Sequence, residues 1–224
     1  MDNSRKGFTL LEVLTVTAIF AMLAAIFIPI AGKAMDSARK STVSNNLKQI
    51  ALAYYSFLNS DNFQKINGKA TLHDFIAVLA EDCDLNDPQL WIIKEDPLVQ
   101  QFAKPIPSHI AFPDKEFKRW ELDKVFRDYP LSVTVVKGIS VNANPSTTPV
   151  AWTRGLRLNG RWAPLTDNYP GVYGEKGGFI AFLDGHVKWY SNLNENGGLL
   201  THYITRKPTS NIFDALPPNA SVLD

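Results

Sequence analysis

The sequence predicts an α+β fold, with one long N-terminal helix packed on an antiparallel β-sheet head, and three stretches predict it. Residues 8–31 form an apolar run of 24 residues in which Glu12 is the only ionisable group. From 43 to 57 apolar residues recur at helical spacing. Residues 131–141 and 177–190 are rich in β-branched and aromatic side chains, and the second stretch carries Asp184-Gly185 between two apolar runs. That dipeptide is among the strongest short-range hairpin signals.

The apolar run comes first. A helix rises about 1.5 Å per residue, so 8–31 reaches roughly 36 Å, enough to span a bilayer core with some tilt. A carboxylate within such a run costs on the order of 2.5–3.5 kcal/mol by insertion scales, so Glu12 needs a reason. Three readings compete. A cleaved secretory signal has a shorter apolar stretch and a small-x-small cleavage site beyond it, whereas this run is long and its fifth residue is an acid. A plain transmembrane anchor explains the length and leaves Glu12 unexplained. The third reading is a prepilin-type signal.

G-F-T-L-L-E-V at 7–13 resembles, residue for residue, the signature of type IV pilins and type II secretion pseudopilins. The resemblance implies that a prepilin peptidase cuts between Gly7 and Phe8 and methylates the new amino terminus. It places Glu12 at the family's conserved fifth mature residue. Pro29, the twenty-second, matches many pilins. It further implies a single-pass protein of the bacterial inner membrane with its head in the periplasm. Its partners would be the pilus or type II secretion assembly platform, other pilins or pseudopilins, and copies of itself in a filament. Arg5 and Lys6 precede the span and Lys33, Arg39 and Lys40 follow it, so orientation rests on the resemblance and not on charge counting.

Electrostatics fits the same reading. Cleavage after Gly7 leaves a positive amine on Phe8 near the membrane surface or within it. A lone amine and a lone carboxylate are each expensive in low dielectric, and pairing offsets much of that cost. Phe8 and Glu12 lie four residues apart on one helix and could meet there. Glu12 could instead meet the amine of a neighbouring subunit and set axial register, a role in which buried polar groups are well attested. The resemblance favours the second version.

The 224 residues are 45% hydrophobic and 20% charged with a formal net charge of +1. That balance predicts no nucleic-acid partner, since such proteins carry a clustered basic excess. Beyond residue 60 about 165 residues remain, enough for one domain with a real core. A single cysteine, Cys83, excludes an intrachain disulfide and reads as a small buried apolar residue.

Four segments follow: a leader at 1–7, the transmembrane and assembly half of the helix at 8–31, its amphipathic half at 32–60, and an α+β head at 61–224. Val43, Leu47, Ile50, Tyr54 and Phe57 form one stripe, widened by Ala51 and Leu58. A helix from Phe8 to about Asn59 would be near 78 Å long. Pro29 removes one backbone hydrogen bond and Gly32 adds a weak point, so a kink or local melting is expected there. Thr71 with Asp74 makes a cap-like start for a short helix over 71–79. Pro97, Pro105, Pro107 and Pro113 argue against regular structure over 97–113. Residues 131–141 read as a strand interrupted at Gly138.

In the hairpin at Asp184-Gly185, a two-residue type I′ turn would pair Phe182 with Val187 and Ile180 with Trp189 on one face. A second hairpin is expected around Asn159-Gly160. F-L-D-G-H-V-K-W-Y at 182–190 and V-A-W-T-R-G-L at 150–156 resemble pilin-like heads that carry an "H-x9-DG" motif. The motif's histidine would fall on Gly174, so the resemblance is to a divergent branch.

Catalysis finds little support. His73, His109, His186 and His202 are scattered, and no nucleophile elbow, phosphate loop or cysteine pair is present. No catalytic residue, cofactor or metal is assigned. Asp82, Asp84 and Asp87 read as an exposed acidic loop before a cation site, and a calcium site from Asp167, Asn168, Glu175 or Asp184 is the weaker alternative. Trp152, Trp162 and Tyr173 read as packing before a sugar-binding surface. The function expected is that of a structural subunit polymerised through its N-terminal helix. The alternative is an anchored ligand-binding head that does not polymerise, and an enzyme with a pilin-like anchor stands third.

Overall fold

The computed structural model describes residues 9–60, 64–102, 104–114 and 119–224. The chain divides into two compact units, Met1–Thr42 and Val43–Asp224. The described helices are α1 (Leu10–Leu58), α2 (Gln64–Asn67), α3 (Leu72–Cys83), α4 (Pro97–Gln101) and α5 (Lys124–Asp128). The strands are β1 (Ala111–Asp114), β2 (Arg119–Leu122), β3 (Val133–Lys137), β4 (Pro149–Thr153), β5 (Gly178–Phe182), β6 (Val187–Tyr190), β7 (Leu200–Thr201), β8 (Pro208–Thr209) and β9 (Ser221–Leu223). One long N-terminal helix with an antiparallel sheet is the α+β, pilin-like layout expected from the sequence.

In the first unit α1 is the only described element. It runs through Pro29 and Gly32 without a break, so the local melting expected there does not occur. Proline takes away one N–H, and the hydrogen-bond ladder above and below it is enough to hold the turn.

In the second unit the remainder of α1 buries Val43, Leu47, Ile50, Ala51, Tyr54, Phe57 and Leu58, the stripe the spacing predicts. Tyr54 packs edge-on against Phe75 of α3 at 5.5 Å between ring centres. Thr71 caps α3: its Oγ1 accepts from Asp74 N at 3.1 Å and donates to Asp74 Oδ2 at 2.8 Å. The helix runs on to Cys83 and ends at Asp84, whose φ of 57° is left-handed. Its inner side buries Leu72, Phe75, Ile76 and Leu79.

Two of the prolines do not exclude regular structure. Pro97 is the first residue of α4, where its missing N–H has no helical partner to lose, and Asp96 caps that turn by accepting from Leu98 N at 3.0 Å. Pro113 lies in β1, which among the described residues pairs with β2 alone, in a two-stranded ribbon where an edge position tolerates it.

The main sheet has the order β6-β5-β4-β3-β9 with every neighbouring pair antiparallel. All five residues of β5 are buried, as a strand covered on both faces requires. β3 stops at Gly138, whose φ of 77° no β-strand residue adopts and where a side chain would meet the Asn219 carbonyl at 2.7 Å.

The β5–β6 hairpin closes at Asp184-Gly185, one residue away from the expected register. Phe182 N donates to His186 O and Gly185 N to Phe182 O, both at 2.9 Å, so the loop has three residues. Gly185 has a φ of 85° and Asp184 does not have a positive φ, which rules out the type I′ turn. The result is a tight turn finished by a left-handed glycine. Phe179 therefore faces Trp189, Ala181 faces Val187, and Ile180 faces Lys188. The pairs Phe182–Val187 and Ile180–Trp189 are corrected, and Trp189 moves to the opposite face. Two local contacts favour the longer loop: Asp184 Oδ1 accepts from His186 N at 3.0 Å, and the His186 ring stacks on Phe182 at 4.2 Å.

The Asn159-Gly160 loop repeats this geometry. Arg157 N donates to Arg161 O at 2.9 Å and Gly160 N to Arg157 O at 3.0 Å, with Gly160 at a φ of 73°. Only the single bridge Leu156–Trp162 follows it, so the expected second hairpin is a turn without strands. Both loops read Leu-Asx-Gly.

Candidate functional site

The start of α1 is organised by two side chains. Thr9 N and Thr9 Oγ1 both donate to Glu12 Oε2 at 2.8 Å, and Glu12 N donates to Thr9 Oγ1 at 3.2 Å. This is a reciprocal capping box, in which a threonine before the first turn and an acid three residues later satisfy each other's orphan N–H groups. The negative charge also complements the positive end of the helix. The pattern Thr-x-x-Glu was present in the sequence and was not read as a cap there. Gly7 and Phe8, the residues of the expected processing site, lie outside the described residues. So does the Phe8 amine that Glu12 was expected to meet. Pro29 is held inside α1.

Beyond Glu12 the side chains at 13–28 and 30–39 are exposed within the chain. They include Leu14, Ile19, Phe20, Met22, Phe27 and Ile28. α1 contains a stretch with mean hydropathy 2.5, long and apolar enough to cross a membrane. Its few hydroxyls are satisfied inside the helix: Thr15 donates to Glu12 O and Thr17 to Leu14 O, each at 3.0 Å. Such internal satisfaction is what a hydrocarbon environment demands.

In the head the residues singled out by sequence find structural roles. Trp152 and Trp162 are buried. Tyr173 is half-buried against Phe179 and Trp189, with ring centres 6.3 and 5.2 Å away, and burial pushes its phenol well up. Cys83 is half-buried, and burial followed by the Asp82 charge raises its thiol above the usual range, so it is a poor nucleophile. His186 Nδ1 lies 2.6 Å from Asp184 Oδ1 at the hairpin tip.

The acidic residues are dispersed. Asp82 pairs with Lys65 at 3.1 Å, Asp84 ends α3, and Asp87 caps the helical turn 88–90. Asp167 pairs with Arg157, while Glu175 sits in the helical turn Gly174–Lys176. Among the described residues no three His, Cys, Asp or Glu side chains come together as a metal site. His73 Nε2 lies 3.2 Å from Tyr129 O, and burial holds its imidazole below its usual pKa despite that contact.

Sequence reasoning missed one buried polar centre. Arg154 and Asp96 are both fully buried and meet at 2.5 Å between Nη2 and Oδ1. Arg154 Nη1 donates to Leu131 O at 2.7 Å, and Ser132 Oγ donates to Asp96 Oδ2 at 2.6 Å. Ile93 N in turn donates to Ser132 Oγ at 3.0 Å. Every part of the pair is hydrogen-bonded, as burial of two charges requires. The centre ties the segment before α4 to the start of β3 and the end of β4.

No curated protein and no solved structure matches the chain. One family model does, and it falls on the segment that the capping box opens. Residues 2–28 match the prokaryotic N-terminal methylation motif, the prepilin-type signal of type IV pilins and pseudopilins.

Proposed function

We propose that the chain is a structural subunit of a type IV pilus or a type II secretion pseudopilus, cleaved between Gly7 and Phe8 and polymerised through α1. The observation that carries this reading is the coincidence of the methylation motif at 2–28 with a helix whose side chains at 13–28 find no cover within the chain. An apolar surface of that size needs lipid or other helices against it. Both are what a prepilin-type precursor meets in turn, first the inner membrane and then the filament. The head would sit in the periplasm before assembly. Glu12 would leave its Thr9 cap, or share its second oxygen, to receive the Phe8 amine of a neighbouring subunit and set axial register. The motif marks structural pilin-like proteins, which supports a structural role.

Intact-mass measurement of the protein purified from its native membrane tests the processing step. The expected mature chain begins at Phe8 and carries one N-methyl group. A mature chain that retains Met1, or that is cut beyond the apolar run, overturns the reading. Cross-linking in the native envelope then tests polymerisation, with ladders of this chain expected.

A further inference from the structure

A concavity on the head remains outside the assembly role. Thr134, Trp152 and Val222 share one face of the main sheet at its β9 end, because Thr134 pairs with Trp152 and the Val222 partner Val136 alternates in phase with Thr134. The loop 155–169 and Phe213 rise around that floor and enclose a cavity of about 230 Å³. Tyr169 and Phe213, each about half exposed at 46% and 48%, form aromatic walls. Arg157, Asp167 and Asp224 supply the polar rim.

We propose that this cavity binds one ring of a neutral saccharide. Aromatic walls offer flat apolar faces to the C–H side of a sugar ring, and the rim offers hydrogen-bonding groups of both kinds to its hydroxyls. Two carboxylates against one guanidinium disfavour phosphorylated or acidic sugars. The volume falls below the roughly 300–1,000 Å³ of pockets for drug-sized ligands, which suits a single ring with the rest of a chain outside.

The walls are also held in place before any ligand arrives. Tyr169 lies over the guanidinium of buried Arg154, 5.0 Å from ring centre to charge, and Arg154 is itself locked by Asp96 and the Leu131 and Pro170 carbonyls. Arg157 and Asp167 clamp the loop across its width, and Asn168 N donates to Asp167 Oδ1 at 3.0 Å. At the loop base Gly155 leaves no room for a side chain, which would meet Gly171 Cα at 2.3 Å. A wall fixed in this way loses little entropy on binding.

Titration calorimetry on the full chain in lipid nanodiscs, free of sugar-based detergent, tests the proposal with tri-N-acetylchitotriose, maltotriose and glucuronate as probes. At least one neutral probe is expected to bind saturably in the millimolar range and more tightly than glucuronate. Tyr169→Ala and Asp224→Asn are each expected to weaken it about tenfold. Asp224→Asn keeps the test valid should Tyr169→Ala disturb folding, since Asp224 is exposed and changes by one atom. Absence of binding by both neutral probes, tighter binding of glucuronate, or affinity indifferent to Asp224→Asn overturns the proposal.

Discussion

Arg154 and Asp96 lie 58 positions apart in sequence and form a fully buried ion pair in the centre of the head. Asp96 also caps α4 through Leu98 N and accepts from Ser132. One carboxylate thus joins a helix start, a strand start and a guanidinium. Asp96→Asn keeps the shape and leaves Arg154 charged and unpaired, which should cost about 3–5 kcal/mol. The double variant Asp96→Leu with Arg154→Met should cost clearly less than the sum of its single variants. Chemical denaturation of the four proteins measures the cycle, and simple additivity would show that the pair is not energetically coupled.

At the other end of the chain, Glu12→Leu should improve the segment as a simple membrane span by roughly 3 kcal/mol on insertion scales. Membrane retention should survive while filament entry fails. Thr9→Ala removes only the cap, at about 1 kcal/mol, and should leave assembly largely intact if the carboxylate acts between subunits. Equal filament entry by wild type and Glu12→Leu, scored in sheared-cell fractions, would sink the role assigned to Glu12.

The corrected hairpin register gives a sharper expectation for β6. Trp189 packs edge-on against Phe179 at 4.9 Å and against Tyr173 at 5.2 Å. Trp189→Ala should destabilise the head by about 3 kcal/mol, the low end for a large aromatic because the side chain is only half-buried. Lys188→Ala should change stability by less than about 0.5 kcal/mol. Phe179→Ala combined with Trp189→Ala should be markedly non-additive in thermal melts, whereas Ile180→Ala with Trp189→Ala should be nearer additive.

His73 makes stability depend on pH in a predictable direction. Burial lowers its pKa in the folded chain, so the folded head binds a proton less readily than the unfolded chain does. Well above pH 6.5, the unperturbed histidine value, both states are neutral there and the residue contributes no slope. As pH falls below that value the unfolded state gains protons first, and stability declines until the folded-state pKa is passed. His73→Gln should flatten this acid limb of the melting curve below roughly pH 6.5. An unchanged limb would place the acid sensitivity elsewhere.

The long helix was legible because hydrophobic period is a strong signal: the stripe from Val43 to Leu58 is buried as its spacing predicts. The Thr71 cap and the stop of β3 at Gly138 were legible for the same local reasons. The hairpin was found and its register was not. Asp-Gly serves both a two-residue and a three-residue loop, and the contacts that accompany the longer one, His186 N on Asp184 and the His186 ring on Phe182, leave no trace in hydrophobic period. Pro97 was misread because a proline at the first helical position leaves the same trace in sequence as one that breaks a helix. Arg154 with Asp96 was invisible because nothing local relates two residues that meet only when the head is complete.

The boundary between Thr42 and Val43 has a further consequence. Before it, α1 closes its backbone hydrogen bonds within itself, with Pro29 the one interior residue that has no N–H to offer, and its threonine hydroxyls do the same. Exchanging one apolar neighbour for another along 13–39 therefore leaves these internal bonds in place. In the proposed assembly, lipid tails would give way to the helices of sister subunits as a change of company alone. On the assembly proposed above, the work of leaving the bilayer would fall on solvation and on the ionic contacts of Glu12, with the rod itself carried across unchanged.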